Sequence, residues 1–264
     1  MLSSIGQSIA LASHLNAFLA GHPVALSAED NPWFKGTPLN DFRVGDDPTQ
    51  TVARSLDEWM ANLSSQRFAK AYLWFEPAQG AGISSIQAIG FAGASLWAPV
   101  AVGPGVEVIW HHRVRYDPVA RAVADQYFGG YRVMPGQHSL RATADEASRE
   151  LVVALEAASE FQVRRRPEQP FGDMFHAGID VLEGGPWKRE RIDLLFPAGL
   201  YPETSHRLVG AVEEAWAFGG MGWWDDWASK DPDLQFEYEQ VTKAYYTAMG
   251  KALFAACDMD LGRR

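Results

Sequence analysis

The residues best spaced for chemistry are Asp173, His176, Asp180 and Glu183. On a helix, offsets of three, four and three bring the four side chains toward one face. A histidine flanked by carboxylates can act as a general base or join a hard-metal site. The same spacing also describes a plain polar face turned to water. His111 and His112 are adjacent, so on a strand they point to opposite sides and cannot ligate one metal together. The alternation around them puts His112 on an apolar face, as a hydrogen-bonded core residue, and His111 beside Glu107, Arg113 and Arg115. Gly93-Ala94-Ser95-Leu96-Trp97 lacks the second glycine of a nucleophile elbow. No phosphate loop, dinucleotide fingerprint or His-Glu-x-x-His run occurs. Cys257 is the single cysteine, which excludes an intrachain disulfide and a thiolate zinc site. With no base or cation beside it, it reads as an inert buried thiol. No cofactor and no metal follow from these motifs, and a hydrolase using Asp173, His176, Asp180 and Glu183 stands as the alternative to a binding role.

The most unusual stretch runs from Trp216 to Trp227. It holds Gly219, Gly220 and Gly222, then Trp223, Trp224, Asp225, Asp226 and Trp227. The spacing is not that of a phosphate-binding loop, and the carboxylates would repel an anion. Two readings compete. Gly219-Gly220 can cap the preceding helix while the tryptophans pin the loop to the core. Alternatively some of the rings stay exposed behind an Asp rim and form a protein-binding hot spot on Trp223, Trp224, Asp225, Asp226 and Trp227. The run Ala217–Asp226, followed by an amphipathic Tyr-rich helix, resembles the C-terminal signature of small uncharacterised bacterial proteins, Phe-Gly-Gly-Met-Gly-Ser-Trp-Asn-Asp, some of them immunity-type. This chain has Trp223 where that pattern has Ser, and Asp225 where it has Asn. The likeness is confined to the C-terminal part; residues 1–140 carry none. It implies a partner to be bound, such as a basic toxin, and no catalytic residue.

Charge leans the same way. The chain carries a formal −10, and from Glu203 to Asp260 eleven Asp/Glu face four Lys/Arg, a net of −7. Such a surface steers a basic partner and repels nucleic acid. The one basic run, Arg164-Arg165-Arg166, falls at a helix C-terminus, where the macrodipole favours cations. No stretch approaches the roughly 18 uninterrupted apolar residues of a membrane span. The first basic residue is Lys35, and Ser13, His14 and Asn16 interrupt the apolar start, which argues against a secretory signal and for a cytoplasmic location.

These residues must be held by a framework that the patterning predicts as α+β: several amphipathic helices packed on a small, largely antiparallel sheet. Helices are expected over 3–20, from Asp47-Pro48 with the stripe Val52, Leu56, Trp59 and Leu63, from the capping box Thr143/Glu146, over 171–182, from Pro202 to Gly219-Gly220, and from Asp231-Pro232. Strands are expected at Lys70–Phe75, Ser85–Phe91, Val106–Tyr116, Tyr131–Met134 and Arg191–Phe196, and a short helix between Asp117-Pro118 and Gly129-Gly130. A boundary near 134–142 would divide residues 1–140 from 141–264, unless the chain is one continuous domain. With ten tryptophans, exposed aromatics could also serve homodimerisation.

Overall fold

The computed structural model describes residues 3–24, 26, 31–34, 41–47, 49–75, 97–133, 141–219, 223–259 and 261. Among these the α+β expectation holds: seven α-helices pack against a six-stranded, mostly antiparallel sheet. The helices are α1 (Ser3–Leu19), α2 (Leu56–Ser65), α3 (Ala144–Arg165), α4 (Phe171–Leu182), α5 (Glu190–Asp193), α6 (Glu203–Glu214) and α7 (Pro232–Cys257). The strands are β1 (Phe42–Val44), β2 (Thr51–Ala53), β3 (Lys70–Phe75), β4 (Trp97–Gly103), β5 (Val106–Asp117) and β6 (Ala122–Val133), in the order β2-β1-β6-β5-β4-β3. Only the β1–β6 pair is parallel. The sequence expectations at Ser85–Phe91, Gly93–Leu96 and 134–140 lie outside the described residues.

One face of the sheet is closed by aromatic stacking beneath α2. Phe42 stacks on Trp59 at 4.9 Å and on Phe128 at 5.3 Å, with Trp110 edge-on to Trp59 at 5.5 Å. On the other face Phe254 of α7 covers Tyr72, Ala98, Val100 and Ile109. A helical group of α3, α4, α6 and α7 packs beside the sheet. Helix α3 starts at the expected capping box, and Asp231 caps α7 through Asp233 N and Leu234 N.

Helix α1 departs from the amphipathic expectation: residues 5–17 are buried on every side. It lies against β3 and β4, and its polar side chains reach partners on other elements. Gln7 donates to the Trp33 carbonyl at 2.7 Å, Ser8 to Trp97 at 2.9 Å, Ser13 to Leu195 at 2.5 Å and Asn16 to Met259 at 2.9 Å. Each of these four side chains thus keeps at least one hydrogen bond in the interior, as buried polar residues generally do. These polar residues, which interrupt the apolar pattern in the sequence, are the connectors of a central helix.

Four local expectations are corrected. Asp47 opens a turn, accepting Thr49 N at 2.9 Å, and α2 starts eight residues later, where Ser55 accepts Glu58 N. Residues 122–130 form strand instead of a helix and run on into the strand expected from Tyr131, together making β6: Asp117 Oδ1 accepts Val119 N and Ala120 N in a tight turn, and the chain folds back along β5. Residues 191–196 are no strand. Ile192 sits in the four-residue helix α5, and Leu195 and Phe196 in the turn behind it, all three buried at helical spacing. Helix α6 stops at Glu214, capped at Ala215, short of the glycines.

Candidate functional site

The segment from Trp216 to Trp227 divides into core and surface. Trp224 is fully buried, its ring edge-on to Phe161, Phe171 and Phe175 at 5.9, 5.9 and 5.2 Å. Its indole N–H donates to Thr242 Oγ1 at 2.8 Å, and its carbonyl accepts Tyr238 OH at 2.5 Å. Trp224 is therefore corrected from a surface anchor to the centre of an aromatic core shared by α3, α4 and α7. Trp227 is half-buried against Tyr238 at 4.8 Å and Phe161 at 5.8 Å. Trp216 is buried as well.

Trp223 differs, with 41% of its surface exposed. Its ring lies against Gly219, where a Cβ would come within 2.9 Å. Gly219 thus seats an aromatic ring instead of capping a helix. Asp226 is exposed three residues on. Residues 220–222 and the Asp225 side chain lie outside the description.

The net charge of the C-terminal quarter is partly cancelled in space. Glu203 meets Arg189, Glu213 meets Arg191, Glu237 meets Arg164 and Arg165, and Asp258 meets Lys70. These cations come from outside the quarter, so the residue count overstates its field. In the chain after Trp223 the exposed carboxylates are those of Asp226, Asp231 and Asp233. Arg166, the third of the basic run, is buried. Its guanidinium lies 5.3–5.7 Å from the rings of Phe171, Trp224 and Trp227, and its Nε has no partner among the described residues. Burial lowers its pKa.

Asp173, His176, Asp180 and Glu183 are all exposed along α4 and just past its end, and His176 Nδ1 is hydrogen bonded to the carbonyl of Gly172 in its own helix. Nothing there withdraws a proton-transfer group from bulk water. No group of three or more His, Cys, Asp or Glu that could hold a metal occurs among the described residues. Cys257 is fully buried, and burial raises its thiol pKa far above the ordinary range.

The histidines of β5 do face opposite sides. His112 stacks on Phe128 at 5.1 Å. His111 is held edge-on between Trp74 and Tyr131, and burial, helped by Arg113, lowers its pKa to about 4. Beside it Asp46 accepts the hydroxyls of Tyr131 and, at 2.7 Å, Tyr127, which hold its carboxylate below the usual range. Arg43 bridges Asp41 and Asp125 and stacks on Tyr127 at 4.1 Å. A carboxylate that accepts two phenol hydroxyls and so stays ionised is a weak base. The cluster acts as a brace that fixes the β1–β2 turn against the root of the β5–β6 hairpin.

That hairpin is the feature missed in the sequence. Its outer half forms an arm on which Val114, Tyr116, Val119 and Val123 are 53%, 56%, 92% and 49% exposed. Tyr116 and Val123 are cross-strand partners, with Val114 two residues along the same strand. The apolar alternation running to Tyr116 was the available signal. Among the described residues no helix is long and apolar enough to cross a membrane. No family model, curated protein or solved structure matches the chain, and its chemistry rests on the geometry above.

Proposed function

We propose that the protein is a cytoplasmic binding module that docks a basic protein, such as a toxin masked by an immunity-type protein, on the surface carrying Trp223 and Asp226. The observation that supports this is Trp223 itself: a large ring left exposed, preset by contact with Gly219, with the exposed Asp226 three residues on and the exposed Asp231 and Asp233 following along the chain. An aromatic side chain already fixed in orientation loses little entropy on binding, and an acidic rim steers a cationic partner. The test begins with a photo-reactive benzoylphenylalanine in place of Trp223, irradiated in native lysate to trap the partner. Calorimetry on that partner then compares Trp223→Ala and Asp226→Lys with the parent. Each variant should weaken binding about tenfold or more with the melting temperature unchanged, and binding should weaken with salt. A partner that binds all three proteins equally well would remove this surface from the proposal.

Self-association is a second reading, favoured by the apolar arm. Exposed apolar patches of this kind mark interaction sites. Light scattering at high protein concentration decides it: a strict monomer, or a dimer indifferent to Tyr116→Asp, excludes the arm as a self-docking surface. The hydrolase alternative at Asp173, His176 and Asp180 has no comparable support, since the three side chains stand in open water.

A further inference from the structure

A cleft of about 360 Å³ opens between α2 and the sheet, away from Trp223. Its walls are mainly apolar, supplied by Leu63 and Phe68 on one side and Val108 and Trp110 on the other. Gly130 of β6 makes the cleft possible. The Trp110 ring lies over it so closely that a Cβ would come within 2.9 Å, and no side chain rises there to fill the space. The tight aromatic stack of Phe42, Trp59 and Phe128 stops short of this space. The indole N–H of Trp110 is buried with no acceptor among the described residues, an orphaned donor of the kind native cores rarely keep.

The charges bordering the cleft are one-sided. Among the described residues no acidic one lines it. Arg43 borders it, but its guanidinium is committed to Asp41 and Asp125. Arg132, the cross-strand partner of Val108, is exposed and has no ion pair among the described residues. In a protein of formal charge −10 a cation with no ion pair among the described residues, set beside an apolar cleft, selects strongly for one ligand class. We infer that this cleft binds a small apolar molecule bearing one anionic group, its hydrocarbon part against Leu63, Val108 and Trp110 and its carboxylate or sulfonate on Arg132.

The test uses 1-anilinonaphthalene-8-sulfonate, followed by its fluorescence, and N-phenyl-1-naphthylamine, which keeps the rings and lacks the sulfonate. The parent should bind one sulfonate probe per chain, and decanoate should displace it. Arg132→Ala should weaken the sulfonate probe about tenfold and leave the neutral one unchanged. Val108→Phe should fill the cleft and abolish both, with circular dichroism confirming the fold. Val106→Phe, at the half-buried edge, replaces it if that variant does not fold. Failure of both probes and decanoate to bind the parent overturns the site. So does binding of many dyes per chain, or binding that the cleft-filling variant leaves intact. A sulfonate probe indifferent to Arg132→Ala overturns the anionic class.

Discussion

His14 offers a sharp test of the central helix. The ring is buried in α1 with Nδ1 2.8 Å from the Ala10 carbonyl, and desolvation lowers its pKa from 6.5 to about 4. A folded-state pKa below the unfolded one means that the unfolded chain takes up a proton first as pH falls. His14 therefore costs the fold nothing above about pH 6.5, and the penalty grows as pH drops toward 4. Fully expressed it is worth about 3 kcal/mol, and at pH 5 about 2 kcal/mol. His111, likewise lowered to about 4, adds to the acid sensitivity of the parent. The perturbation is His14→Asn, which still offers an N–H to Ala10 and cannot titrate. Urea unfolding near pH 7.5 and pH 5 gives the stability of each protein, and the difference in their pH response isolates His14. The variant should lose about 2 kcal/mol less than the parent between the two conditions. Equal losses would refute the claim that this ring is held neutral by burial.

Three further outcomes follow from packing. Trp224→Ala should cost about 4 kcal/mol in urea unfolding, because the ring is fully buried among three phenylalanines and leaves a cavity. Gly130→Ala should cost about 2 kcal/mol, since the new methyl meets the Trp110 ring at 2.9 Å. Arg166→Met should change stability by less than about 1 kcal/mol, because the loss of cation–ring contact is offset by relief of a buried charge that has no ion pair among the described residues.

How far the sequence could be read depended on whether the deciding contact was local. Thr143/Glu146 and Asp231-Pro232 satisfy backbone groups within three residues, and the helices they open begin where the sequence says. Ser55 and Glu58 carried an equally local signal, but Asp47-Pro48 matches the same helix-start pattern upstream, where Asp47 in fact opens a turn. The helix expected after Asp117-Pro118 failed because the competing structure, pairing with β5, depends on residues before the turn as well as after it. In the Trp/Gly/Asp stretch there is no regular period to say which ring faces inward. Trp224 goes in because Phe161, Phe171 and Phe175 wait for it, and Trp223 stays out because Gly219 has room only for the face of its ring. The acidic balance was visible, whereas its cancellation by Lys70, Arg164, Arg165, Arg189 and Arg191 was not.

The connections made by α1 set the order in which this chain can be completed during synthesis. Ser13 waits for the Leu195 carbonyl and Asn16 for that of Met259, and His22, just past the helix, for that of Leu261. Helix α1 can dock on β3 and β4 early, but its buried hydrogen bonds are completed only when these later residues arrive. Until then Ser13 and Asn16, both destined for the interior, lack these acceptors. Contacts of such long sequence separation slow folding and lengthen the exposure of sticky surface. Ribosome-bound chains halted before residue 195 should engage chaperones through α1, and a chain released there should aggregate instead of folding by halves.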